Sequence, residues 1–152
     1  MEFRVPFNGR PHHYTEMEID AVVGVMRGSA PLTQGVSLRE FENRFTQYSC
    51  VDHAFAVSNA TAGLELTAQL CQFKDGDEVI IPVHTFTSSA YPFVKNGAKI
   101  VWSDIDLATR VVTAETIVSC ITSNTRAIVV PHLYGYGADM PAIVTLANQY
   151  GL

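Results

Sequence analysis

Residues 54–82, AFAVSNATAGLELTAQLCQFKDGDEVIIP, decide the fold class. The short apolar run 54–58 reads as a strand. Residues 60–73 read as a helix, with Leu64, Leu66, Ala68 and Leu70 making it mostly apolar. Residues 74–78, KDGDE, form a turn, and 79–82 form a second strand closed by Pro82. Two strands joined through a helix are the unit of a parallel sheet.

The pattern continues towards the C-terminus. A helix is predicted over 87–96, starting late because of Pro92, with Gly97 as its C-cap. Residues 99–105, KIVWSDI, read as a strand, and Ala114–Ile121 as a helix opened by Thr113. Residues 126–133, RAIVVPHL, read as a further strand, followed by a helix over 138–150 with Pro141 near its first turn. Strands alternating with helices predict an α/β fold, a mostly parallel sheet with helices on both faces. Gly151 then reads as a C-cap and Leu152 as the first residue of another buried strand.

Upstream the pattern is helical. Residues 14–27 place Met17, Ala21, Val22, Val25 and Met26 at helical spacing, Thr15 and Glu18 have the spacing of a capping box, and Gly28 ends the helix. The loop 29–35 leads into a helix over 37–48, with Leu38, Phe41, Phe45 and Tyr48 on one face and Ser37 and Glu40 again at capping-box spacing. The expected organisation is an N-terminal helical segment, 1–53, and an α/β part, 54–152.

The 152 residues are 47% hydrophobic and 16% charged. An average soluble chain is about 25% charged, so this chain has more apolar surface than it is expected to bury alone. The net charge of −5, without any Lys/Arg block, removes the electrostatic footprint of a nucleic-acid binder. The longest uncharged run, 79–94, holds two prolines and five Ser, Thr or His residues, too short and too polar for a membrane span. Residues 1–13, MEFRVPFNGRPHH, have no apolar signal core, so a cytoplasmic protein is expected. Cys50, Cys71 and Cys120 stand apart and are expected to be buried free thiols. The five histidines, including the pair His12-His13, show no metal-ligand spacing, so no metal site is expected.

Ligands of open α/β sheets bind beyond the carboxyl ends of the strands. The loops there are 58–61, 82–86, 104–106 and 132–137. Ser58–Ala62 joins strand to helix through small residues, which let backbone N–H groups approach an anion closely, and the Thr61 hydroxyl adds a donor. The same segment serves equally as an ordinary helix cap through Ser58, Asn59 or Thr61. Phe86 stands just past a strand end, where it can cover a flat heteroaromatic ligand or pack under a helix. His84 reads either as a proton carrier or as a hydrogen-bonded structural histidine. Gly135 and Gly137 punctuate the loop after the last strand and need supply nothing beyond a positive φ. Dinucleotide, P-loop and nucleophile-elbow motifs are absent.

Taken in order, several segments resemble the N-terminal part of the DegT/DnrJ/EryC1/StrS aminotransferases, which are pyridoxal-phosphate-dependent sugar aminotransferases of fold type I. They are Leu32-Thr33-Gln34-Gly35 with Glu40-Phe41-Glu42, then 56–64 (AVSNATAGL), and 76–82 (GDEVIIP). Thr85-Phe86, Gly97-Ala98, Asp104-Ile105-Asp106 and 125–128 (TRAI) follow, then His132-Leu133-Tyr134-Gly135 and Ala138-Asp139-Met140. The specificity lies in the ordered set, which runs from about Pro6 to Leu152.

The resemblance implies a three-layer α/β/α fold, of which this chain would be part of the large domain. It implies pyridoxal 5′-phosphate (PLP) as cofactor, with Ala60, Thr61 and Ala62 holding its phosphate and Phe86 stacking on its ring. Many relatives have Gly where Ala60 stands, and Tyr136 and Gly137 also depart from the commoner family residues. The family's acidic partner of the ring nitrogen belongs to the strand expected to begin at Leu152, and its Schiff-base lysine lies further on. Lys74, Lys95, Lys99 and Arg126 match other family positions, so this chain is assigned no catalytic residue and alone is expected to be inactive. A complete relative would aminate a nucleotide-linked keto-sugar with nitrogen from an amino donor, commonly glutamate. Such relatives are dimers that complete each active site across the pair, so a homo-oligomer is expected. The alternatives are a non-catalytic binding or assembly module and a fragment of a related PLP-dependent sugar dehydratase.

Overall fold

The computed structural model describes residues 13–28 and 30–152. His12 of the histidine pair and the start of the resemblance at Pro6 lie outside the described residues. The chain divides into two compact units, Met1–Ala56 and Val57–Leu152.

The first unit contains helices α1 (Glu16–Arg27) and α2 (Val36–Ser49). The capping box of α1 forms: the Glu18 N–H donates to the Thr15 hydroxyl, and Glu18 Oε2 accepts from the Thr15 N–H at 2.7 Å. The box expected from Ser37 and Glu40 does not form. Gly35 is the N-cap, so Ser37 lies inside the helix, and Glu40 pairs with Arg44 one turn on. A Cβ at position 35 would come within 2.8 Å of the Pro31 carbonyl oxygen, so this tight entry requires glycine. Phe41, Phe45 and Tyr48 do share one face of α2, with ring centroids 6.0 and 6.4 Å apart in succession. That face is solvent-exposed, as are Met17, Val22 and Met26 of α1.

The second unit is a three-layer α/β/α arrangement. Its elements are α3 (Ala60–Cys71), β1 (Glu78–Pro82), a 3₁₀ turn (Thr87–Ser89), α4 (Tyr91–Lys95), β2 (Lys99–Ser103), α5 (Ala114–Val118), β3 (Thr125–Ile128), a second 3₁₀ turn (Leu133–Gly135) and α6 (Met140–Tyr150). The sheet is parallel, in the order β2-β1-β3. Every residue of the central strand β1 is buried. Its side chains alternate: Val79 and Ile81 meet Leu64, Ala68, Phe73, Ala90 and Phe93 on the side of α3 and α4. Ile80 faces the other way, into Val112, Ile117, Ile143 and Leu146 on the side of α5 and α6. Phe73 and Phe93 meet edge to face at 6.1 Å.

The strand expected over 54–58 is absent; the segment has no ladder partner among the described residues. Its apolar composition suits a strand, but β2 and β3 already occupy both edges of the central strand β1, and the segment pairs with the outer edge of neither. The helix expected over 87–96 is split into the 3₁₀ turn and α4, with Pro92 in the first turn of α4. The strand expected over 126–133 forms as Thr125–Ile128, with one further bond from the Val129 N–H to the Ile80 carbonyl. The cysteines are free, but Cys50 and Cys71 are exposed and only Cys120 is partly buried. Cys50 is the left-handed C-cap of α2 and Cys71 is the last residue of α3, and both positions face outward. No helix of the described residues is long and apolar enough to cross a membrane.

Candidate functional site

The turn over residues 72–77 reverses the chain between α3 and β1, so α3 runs antiparallel to β1 and lays Leu64 and Ala68 on it. Twelve helical residues span about 18 Å, which carries the first turn of α3 to the carboxyl end of the sheet. The loop Val83–Phe86 leaves β1 at that same end, and the 3₁₀ turn after it packs against α3. The fold therefore brings the Ala60-Thr61-Ala62 turn and Phe86 to the same end of the sheet from sequence positions 24 to 26 residues apart.

The first turn of α3 is a cap and a donor cluster at once. Asn59 Oδ1 accepts from the Ala62 N–H at 2.9 Å, the ordinary cap role. The Ala60 and Thr61 N–H groups and the Thr61 hydroxyl make no hydrogen bond among the described residues, and both residues are exposed. Three donors therefore converge at the positive end of a twelve-residue helix, flanked by alanine methyls that leave room for an anion. Phe86 is 72% exposed, with extended backbone at the entry to its turn. It is not packed under a helix. The donors and the free ring face fit a phosphate and a flat ring, the two parts of PLP that the family resemblance implies for these residues.

Other groups share this end of the sheet. His84 is exposed and meets Tyr134 edge to face at 6.3 Å, so it is not the hydrogen-bonded structural histidine of the sequence alternatives. His132 Nδ1 accepts from the Ala138 N–H at 3.1 Å, tying the loop after β3 to the start of α6. Tyr134 and Gly135 both have positive φ, 56° and 83°, whereas Gly137 does not. The guanidinium of Arg110 lies 5.8 Å from the centroid of Tyr136, linking the loop after β2 to the loop after β3. Sequence spacing carries no signal for either aromatic pair, because both join separate loops. The Asp106 carboxylate in the loop after β2 accepts from the backbone of Thr109 and Ala108, which holds its pKa below the ordinary value.

The chain's three lysines lie elsewhere. Lys74 is in the turn before β1, Lys99 pairs with Glu78 at the amino end of the sheet, and Lys95 pairs with Glu65 on α3.

The second unit, a parallel sheet with helices on both faces, matches the fold of PLP fold type I aminotransferases. Residues 12–152 match the DegT/DnrJ/EryC1/StrS aminotransferase family, and the chain belongs to that family. An aminotransferase from Psychrobacter cryohalolentis is 35% identical and superposes with a TM-score of 0.86, over 97% of this chain and 37% of that one. Spr1654 from Streptococcus pneumoniae, described as a sugar aminotransferase and solved in a PLP-form, is 30% identical, with a TM-score of 0.85 over 97% and 37%. GDP-4-keto-6-deoxy-D-mannose-3-dehydratase from E. coli, at 22% identity and a TM-score of 0.82 over 90% and 36%, shares the fold. The chain thus spans about 37% of the length of the first two relatives. The family and the PLP-form relative imply PLP dependence.

Proposed function

We propose that this chain is the phosphate-holding and ring-facing part of a PLP-dependent aminotransferase that acts on nucleotide-linked keto-sugars. The observation that carries this reading is the placement of three free donors, the Ala60 and Thr61 N–H groups and the Thr61 hydroxyl, at the same end of the sheet as the exposed ring of Phe86. Ala60, Thr61 and Ala62 would hold the cofactor phosphate, and Phe86 would cover one face of its ring. When bound, the cofactor supplies an electron sink for chemistry at the amine-bearing carbon. The chain's own residues would donate hydrogen bonds to the phosphate and cover one face of the ring, excluding water from it. Lys95 and Lys99 are paired with Glu65 and Glu78 and Lys74 lies in the turn before β1, so the isolated 152 residues would bind without transaminating. The N-terminal part, 1–53, and the α/β part, 54–152, would contribute to a homodimer; the exposed Met17, Tyr48 and Leu70 support such association.

The test is a titration of the chain with pyridoxal 5′-phosphate and, in parallel, with phosphate-free pyridoxal, read by circular dichroism in the cofactor band. Charge-assisted hydrogen bonds contribute about 1.5–3 kcal/mol each, so the phosphorylated form is expected to bind at least about tenfold tighter. Equal affinities would overturn the phosphate assignment.

A further inference from the structure

We propose that Ser89 is a positioning residue for Phe86; this rests on the reading of Phe86 as the ring-facing residue. The ring of Phe86 is 72% exposed and makes no ring contact among the described residues, so side-chain packing does little to set its direction. Its backbone is held instead, and by one residue. The Ser89 N–H donates to the Phe86 carbonyl at 2.9 Å. Ser89 Oγ accepts from the hydroxyl of Thr85, the residue before Phe86, at 2.7 Å. Ser89 therefore ties the chain on both sides of the aromatic.

Ser89 is itself anchored. It is buried, and the next residue, Ala90, belongs to the apolar cluster of Val79, Ile81 and Phe93. A buried hydroxyl is unfavourable without a partner, and here the partner is the loop residue Thr85. An alanine would pack at position 89 as well but would release Thr85. An exposed ring on a fixed backbone loses less freedom when it stacks on a ligand, which is the benefit of preorganisation.

The test uses backbone amide relaxation of the chain and of its Ser89→Ala, Ser89→Thr and Thr85→Val variants. The Phe86 order parameter is expected to fall from the rigid range, about 0.85, to below about 0.6 in Ser89→Ala and Thr85→Val. Ser89→Thr, which keeps the hydroxyl, is expected to restore it, with Val79 and Ile81 unchanged throughout. An unchanged Phe86 in both hydroxyl-deleting variants overturns the proposal. In pyridoxal 5′-phosphate titrations, Ser89→Ala is expected to bind about fivefold more weakly, the scale of one hydrogen bond, and Ser89→Thr to recover. Equal affinity of Ser89→Ala and the unaltered chain also overturns the proposal. If the unaltered chain binds no cofactor, the functional reading falls, while the relaxation comparison still decides what Ser89 does to Phe86.

Discussion

At the amino end of the sheet the carboxylates of Asp77 and Glu78 both have partners. Asp77 accepts from the Lys74 N–H at 2.8 Å and from Arg126 Nε at 3.0 Å. Glu78, 5% exposed, accepts from the Thr122 hydroxyl at 2.6 Å and from Lys99 Nζ at 2.9 Å. Arg126 is the extra residue where the pairing of β1 with β3 shifts register, between Glu78↔Thr125 and Val79↔Ala127. At the carboxyl end the balance is reversed: Thr61 has unpaired donors, and Phe86 and Tyr134 are largely exposed. Both ends belong to the same strands, so composition alone does not separate them. The paired end holds the strands in register, and the unpaired end leaves donors of α3 without a partner among the described residues.

The comparison is sharpened first at its midpoint. Ile80→Ala empties the buried centre of β1 on the α5/α6 side and is expected to cost about 2–5 kcal/mol in denaturant unfolding, with cofactor binding lost along with the fold. Next comes acid. The backbone of Lys74, followed by Arg126, lowers the Asp77 pKa, and the Thr122 hydroxyl, followed by Lys99, lowers that of Glu78. Both carboxylates therefore release their protons more readily folded than unfolded. Their stabilisation is complete above the ordinary values of 3.8 and 4.5, and it is lost as pH falls below those values and through the lowered folded ones. Unfolding midpoints measured from pH 7 to 2 should drop in that window, and Glu78→Gln should flatten the drop; an unchanged acid profile in Glu78→Gln would break the assignment of this end to stability. The smallest stability effects belong to the other end. Thr61→Ala and Phe86→Ala are expected to shift stability by no more than about 0.5 kcal/mol. Thr61→Ala should erode the preference for phosphorylated pyridoxal, and Phe86→Ala should weaken both forms alike, by the roughly 0.5–1.5 kcal/mol of an aromatic stack. A large stability loss in either variant would erase the contrast between the two ends.

Features set by neighbours in the chain were legible in the sequence. The Thr15–Glu18 box, Asn59 as a cap, Asp139 and Pro141 at the start of α6, and Gly151 at its end all depend on contacts within four residues or so. The same rule misled at Ser37, because the Pro31 carbonyl stands against Gly35 and moves the helix start to Val36. It misled again at 54–58, where an apolar run finds no ladder partner among the described residues. The candidate site was legible in its parts, since Thr61 sits among small residues and Phe86 follows a strand end. The pairings His84–Tyr134, Arg110–Tyr136 and Arg126–Asp77 were not, because each joins segments 26 to 50 residues apart.

By itself the sequence determined the alternation of strands and helices, the caps that bound most of the helices, and the family, because those are written in local periodicity and in an ordered set of short motifs. Only the tertiary structure decided which segments pair, which carboxylates are answered, and which donors of α3 stay free. Those outcomes depend on which surfaces meet across the sheet, and burial and pairing energies act between residues that are distant in the chain.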